Sequence, residues 1–160
     1  MKIGTRIGIV VGIILSVYIF SIRYFQMTQN KFGGFGIFLI IVLGAVSSCL
    51  AFDKETNYTS SFGKIFGSGF ATTASSTFIT VAITLLSYAL VPSLKTQELN
   101  ELRQQYESMN KPVEETNKNI DEANSHFYSI KSSQYLFPLL LSGALFSALA
   151  SMAIAKKNKR

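Results

Sequence analysis

The chain has 160 residues, 48% hydrophobic and 15% charged, with a net charge of +6. Its length admits one compact domain, and its single cysteine, Cys49, excludes an intrachain disulfide framework. Residues 7–22, 32–52, 65–94 and 132–155 carry no charge. A helix needs about 20 apolar residues to cross about 30 Å of hydrocarbon, so this spacing excludes a soluble fold. The one long polar segment, 93–134, is too short to cover four such runs. In such a chain the basic excess reports topology and gives no reason to expect nucleic acid as a partner.

The first span is expected over 3–24. Arg6 and Arg23 have stems long enough to snorkel to either interface. Its exit, Ser21-Ile22-Arg23-Tyr24-Phe25, offers no small-x-small cleavage site, so the segment is expected to remain a span. Gly4, Gly8, Gly12 and Ser16 recur every four residues and form a smooth ridge that another helix backbone can approach closely. Packing within the monomer and self-association both use such a ridge. A polar turn over 26–34 leads through Phe32-Gly33-Gly34-Phe35-Gly36, which reads as a flexible entry, into a second span over 35–52. Gly44 and Ser48 repeat the small pair there, and Cys49 reads as a small hydrophobe.

A polar loop, 53–61, comes next. Asn57-Tyr58-Thr59 matches a glycosylation acceptor, but it falls on the side read below as cytoplasmic and receives no role. Tyr58, Phe62, Phe66 and Phe70 then fall every four residues, beside Gly63 and Gly67. Two readings fit. One is an interfacial helix over 58–69 with its aromatic face in the acyl boundary, bent away from the next span near 67–69. The other is a continuous start of that span with an aromatic belt. The third span is expected over 70–91, stopped by Pro92. Thr73, Thr77, Thr80, Thr84 and Ser87 share one of its faces. That face lines a solute path or makes interhelical hydrogen bonds. Packing is favoured, because no Asp, Glu, Lys, Arg or His lies near the centre of any span, where a working path usually keeps one.

Within 93–134, Leu99, Leu102, Tyr106, Met109, Val113, Thr116, Ile120, Ala123, Phe127 and Ile130 recur with heptad spacing. Pro112 interrupts it and would cost a continuous helix about 3 kcal/mol. The pattern predicts two helices, 94–109 and 113–131, folded into a hairpin; the alternative reading is a partly disordered polar loop. The fourth span is expected over 135–155, with Pro138 in or before its first turn, where a missing N–H costs little. Gly143, Ser147 and Ser151 repeat the small ridge. The span ends in Lys156-Lys157-Asn158-Lys159-Arg160. This basic cluster abuts a span, whereas the bases of 93–134 are dispersed among seven acids, so both termini are expected in the cytoplasm and the hairpin outside.

Catalytic motifs are missing from the sequence. There is one histidine, His126, in the polar segment, and no H-E-x-x-H pair, second cysteine or G-x-x-x-x-G-K-[ST] loop. No catalytic, cofactor-binding or metal-ligating residue is assigned, and no enzyme is expected.

Ser61-Phe62-Gly63-Lys64-Ile65-Phe66-Gly67-Ser68-Gly69-Phe70 resembles the S-F-G-x-x-F-x-x-G-F signature of domain-of-unknown-function family 4199. The order of features is similar too: two apolar spans, this motif leading into a third, a charged amphipathic loop, and a fourth span ending in lysines. The resemblance implies a four-helix protein of the bacterial inner membrane and supplies no catalytic residue. The sequence is therefore read as an all-α, polytopic membrane protein with an extracytoplasmic helical hairpin. Its expected role is structural or accessory, with the lipid bilayer and a second copy or another membrane protein as partners. The alternatives are a small channel or transporter component using the hydroxyl face, and a holin-like pore former.

Overall fold

The computed structural model describes residues 2–25 and 31–158. Among them the chain is all-helical: α1 (Ile3–Tyr24), α2 (Lys31–Glu55), α3 (Phe62–Leu90), α4 (Pro92–Ser108), α5 (Val113–Ser125) and α6 (Phe127–Lys157). Four of these, α1, α2, α3 and α6, are long and apolar enough to cross a membrane. At 1.5 Å per residue α1 covers about 33 Å and α6 about 46 Å, so α6 has turns to spare beyond the hydrocarbon. Residues 26–30 of the expected turn over 26–34 and the tail residues Lys159 and Arg160 lie outside the described residues.

Small residues set the helix directions. Gly4 abuts Ser68, Gly8 abuts Thr72 and Ser75, and Gly12 abuts Ser76 and Ile79, so α1 and α3 run parallel. Gly36 lies against Tyr18 and Gly44 against Val11, which makes α2 antiparallel to α1. Gly143 lies against Thr73, and Ser147 against Gly69, which makes α6 antiparallel to α3. The start of α1, the end of α6 and the turn after α2 therefore share one end of the bundle. There Asn158 Nδ2 donates to Asp53 Oδ1 at 2.7 Å. The α4–α5 pair occupies the other end.

The bundle is more polar inside than outside. Thr72, Thr73, Ser76, Thr77 and Thr80 are fully buried. Phe137, Leu141, Leu145 and Leu149 form an exposed stripe along α6, and Val10, Ile14 and Val17 do so on α1. This arrangement suits lipid, where exposed apolar surface costs nothing and close packing with hydroxyl bonds drives helix association. Val11, Leu15, Ile41 and Leu139 fill the centre. Thr72 Oγ1 donates to the Gly4 carbonyl at 2.8 Å, and Thr80 Oγ1 to the Gly12 carbonyl at 3.3 Å. Both bonds join residues 68 apart, so one register holds over two turns. Ser48 and Ser68 hydroxyls meet at 2.9 Å across α2 and α3.

Three sequence expectations need correction. First, α2 starts at Lys31, so the glycine-rich entry is helical. Gly36 keeps a clear face there for the Tyr18 ring, since a Cβ would lie 2.9 Å from Tyr18 Cε1. Second, no separate interfacial helix spans 58–69: α3 begins at Phe62 and runs unbroken through 67–69. Asn57 and Tyr58 have φ of 51° and 61°. The Asn57 N–H bonds the Lys54 carbonyl and the Tyr58 N–H the Asp53 carbonyl, both at about 3 Å. This left-handed helix end places Tyr58 in the turn, apart from the phenylalanine face. Third, α6 begins at Phe127, not at 135, and holds Pro138 well inside. The break falls at His126, so the expected helix over 113–131 divides there. A membrane helix tolerates an internal proline where side chains and neighbours re-satisfy the backbone; the carbonyl that loses its helical partner here is that of Gln134, four residues before Pro138.

The buried hydroxyls give a paired test. Thr72→Val removes the bond to Gly4 and is expected to lower unfolding free energy in detergent by about 0.5–1.5 kcal/mol. Thr77 Oγ1 is buried with no partner among the described residues. Thr77→Val keeps the shape and is expected to be neutral or stabilising. Equal losses for the two variants would contradict this packing.

Candidate functional site

A cluster of charged side chains packs against the bundle at the end where α3 passes into α4. Val91 is followed by Pro92 in the first turn of α4, where proline is tolerated. Leu94 packs down into an apolar cluster with Tyr88 and Phe127. Glu98 follows one turn later on the same face. Its carboxylate meets three partners from three other helices: Arg23 in the last turn of α1, Tyr88 in the last turns of α3, and Lys131 on α6. The Arg23, Glu98 and Lys131 side chains are 10%, 14% and 18% exposed, so water screens them little.

Aromatic rings complete the arrangement. The Arg23 guanidinium lies 4.7 Å from the Tyr88 ring centroid and 5.7 Å from that of Tyr135, whose hydroxyl accepts a bond from Arg23 Nη2. Phe127, Lys131 and Tyr135 reach the site together because they recur every four residues on α6. Tyr88 and Phe127 meet edge to face at 4.9 Å, and Lys95 Nζ lies 5.2 Å from the Phe127 centroid. One carboxylate thus holds two cations and a phenol, and ties α4 to α1, α3 and α6. An anion in this position costs solvation, which two cations and a hydroxyl offset.

Above the cluster a groove of about 810 Å³ opens between α4 and α6. Leu99, Leu102, Phe127 and Ile130 give it apolar walls, and Arg23, Lys131, Gln105 and Gln134 give it polar ends. The α4–α5 pair is held by its own bonds as well. Arg103 Nη1 donates to Asn117 Oδ1 at 2.9 Å and Lys95 Nζ to the Asn124 carbonyl at 3.4 Å, an antiparallel pairing. At the connecting turn Lys111 donates to Glu115 at 2.6 Å. That bond raises the Lys111 pKa and lowers that of Glu115. The ion pair therefore persists through neutral pH and is lost as Glu115 protonates in acid or Lys111 deprotonates in base.

The residues singled out from sequence lie elsewhere. Gly4, Gly8, Gly12 and Ser16 face α3, and Ser16 Oγ donates to the Gly12 carbonyl at 2.7 Å. Gly143, Ser147 and Ser151 face α3 and α2, with Cys49 Sγ 3.6 Å from Ser151 Oγ. Thr73 and Ser87 hydroxyls donate to carbonyls of their own helix at 3.2 and 2.7 Å, and Thr77, Thr80 and Thr84 are buried. Phe62, Phe66 and Phe70 stack on one another at 5.9 and 5.8 Å, and Gly63 and Gly67 beside them face open space. Heptad positions Met109 and Val113 are exposed, whereas Thr116, Ile120 and Phe127 are buried. Sequence reasoning missed Arg23, Tyr88, Glu98, Lys131 and Tyr135 as a group. The four-residue spacings Leu94–Glu98 and Phe127–Lys131–Tyr135 are visible in the sequence, but nothing local pairs one with the other.

Glu98→Gln keeps the shape and removes the charge that Arg23 and Lys131 share. It is expected to cost about 2–3 kcal/mol and to open the α4–α5 pair to limited proteolysis before the bundle. Glu107→Gln, on the exposed face of α4, is expected to change stability by less than about 0.5 kcal/mol. Similar proteolysis and stability for the two variants would remove Glu98 from this role.

Comparison with curated proteins finds no match. Comparison with solved structures finds none either. The family described as "Protein of unknown function (DUF4199)" matches residues 6–157, which include the membrane helices, the motif at 61–70 and the Glu98 cluster. With nearly its whole length matched, the chain belongs to the DUF4199 family.

Proposed function

We propose that this membrane protein is a non-enzymatic accessory or interaction protein of the bacterial inner membrane. In this reading both termini are cytoplasmic, and the α4–α5 pair projects on the outer side as the part that meets a partner, either another membrane protein or a second copy. The observation that carries the reading is the occupation of the α3 hydroxyl face. On that face Thr80 spends its hydrogen bond on the Gly12 carbonyl of α1, and Thr73 and Ser87 spend theirs on carbonyls of their own helix. A Cβ on Gly12 would lie 3.0 Å from the Ser76 carbonyl oxygen. Backbones that close leave the face little room for a solute, and close contact of this kind is how membrane helices associate. The basic tail beside α6 supports the orientation.

A second reading, a small channel or transporter component, draws on Thr77 Oγ1 and Ser147 Oγ, both buried without partners among the described residues. Thiol labelling separates the two. Cysteines placed at Thr77, Thr80 or Thr84 in a Cys49→Ser background are expected to resist water-soluble thiol reagents, which react with the thiolate and need water at the site. Labelling that rises and falls along these positions, with none at Phe78, would replace the accessory reading with the channel reading.

A further inference from the structure

The break between α5 and α6 has no local cause. A helix commonly ends at a glycine or ahead of a proline, and residues 123–130, Ala-Asn-Ser-His-Phe-Tyr-Ser-Ile, contain neither. The apolar spacing runs straight through: Ile120, Ala123, Phe127 and Ile130 are 3, 4 and 3 residues apart. One residue, His126, separates the two helices, at φ −103° and ψ 16°. A change of about 40° in φ and about 60° in ψ would make it helical. The His126 side chain does not cap α6. The N–H groups of Phe127, Tyr128 and Ser129 therefore open that helix without an acceptor inside it, and the Ile130 N–H is the first to find one, the His126 carbonyl at 3.0 Å. A helix continuous through 126 would pair those three with the carbonyls of Ala123, Asn124 and Ser125. Local chemistry favours the straight form, so something else holds the bend.

The first two turns of α4 hold it. Leu94 packs with Phe127 and Tyr88. Lys95 Nζ donates to the Asn124 carbonyl at 3.4 Å, the acceptor that a straight helix would give to the Tyr128 N–H. The same ammonium lies 5.2 and 5.7 Å from the Phe127 and Tyr128 ring centroids. Glu98 then takes Lys131, one turn into α6. The other connection of the α4–α5 pair to the bundle is as slight as the first: Val91 alone, at φ −125° and ψ 80°, joins α3 to α4. The contact of Leu94 with Phe127 sets the two joints side by side, and the Arg103–Asn117 bond keeps the pair together. We propose that the α4–α5 pair is a flap on two one-residue pivots, Val91 and His126, with Leu94, Lys95 and Glu98 as its latch. With the latch closed the chain bends at His126. With it open, α5 runs on into α6 as one helix over 113–157 and the pair swings as a unit. Local helix formation pulls toward the straight state and the α4 contacts toward the bent one, so any ligand that favours one state shifts the balance. The device goes beyond the accessory role above and does not depend on it.

The test is amide hydrogen exchange of the full-length protein in detergent, read at Phe127, Tyr128 and Ser129. Lys95→Met and Glu98→Gln each open the latch. In both, exchange at these three amides is expected to slow about tenfold, the weight of one hydrogen bond to a charged group, because the straight helix gives them acceptors. Exchange in the first turn of α4 is expected to quicken at the same time. A latch that merely stabilises one rigid arrangement gives the opposite sign, since its loss would quicken exchange at 127–129 as well. His126→Ala and His126→Gly leave the latch intact and differ in helix propensity. The alanine variant is expected to exchange about fivefold more slowly at 127–129 than the glycine variant. Unchanged or faster exchange at 127–129 in Lys95→Met and Glu98→Gln, or equal exchange in the two His126 variants, would overturn the hinge.

Discussion

The contact of α1 with α3, backbone against backbone, is the constraint on which the other features rest. Gly4, Gly8 and Gly12 remove the side chains that would hold the helices apart. Without a hydrophobic drive between helices in lipid, dispersion over this close contact and the hydroxyl bonds it permits supply the association. The hydroxyls of Thr72 and Thr80 then reach carbonyls of the facing helix and fix a parallel register with an offset of 68 residues. The register carries on to the far end. Adding 68 to 23 gives 91, so Arg23 arrives opposite Val91, where α3 gives way to α4. An arginine delivered to that corner meets Tyr88 below and Glu98 above. The ridge near the start of the chain thus sets the geometry of the charge cluster at the other end of the bundle.

The family motif acquires a physical meaning in this frame. Ser61 is the residue at which the chain enters α3. Phe62, Phe66 and Phe70 stack into a ladder on the outside of that helix. Gly69 faces inward, where a Cβ would lie 2.6 Å from Cys49 Sγ and 2.7 Å from Ser147 Oγ. It lets α2 and α6 close on α3 at the same level. The motif therefore specifies how three helices meet near the turn after α2, with a ladder of aromatics on the outer face of α3.

Much of this was legible in the sequence. Uncharged runs showed four spans because the thickness of a bilayer is a fixed physical length. Gly4, Gly8 and Gly12 were legible as a packing surface because four-residue spacing places them on one face, though which helix they meet is not a local property. Element ends were harder. Pro138 suggested a helix start, but a membrane helix keeps an internal proline where neighbouring helices and side chains re-satisfy the backbone group it frees, and such neighbours are set by the fold. The 32–36 glycines suggested a loop, but Gly36 is kept small for Tyr18. The Glu98 cluster was least legible. Arg23 read as an ordinary interfacial base and Lys131 as one of the dispersed bases of 93–134, and only the fold places them on one carboxylate. Pairing across more than 70 residues in sequence, as between Arg23 and Glu98, leaves no periodic trace.

Because the account rests on the α1–α3 contact, the sharpest measurement applies the same change to two glycines in opposite surroundings. At Gly8 a Cβ would lie 2.7 Å from both the Thr72 carbonyl oxygen and Ser75 Cβ, whereas at Gly63 nothing lies within 4 Å. Unfolding free energies of Gly8→Ala and Gly63→Ala should be compared in the same detergent. The account predicts opposite signs. Gly8→Ala loses about 1–3 kcal/mol through forced separation of the helices, and Gly63→Ala gains up to about 1 kcal/mol through helix propensity. If Gly8→Ala is as stable as the parent, or both variants shift alike, α1 and α3 do not meet through this ridge and the register derived from it fails.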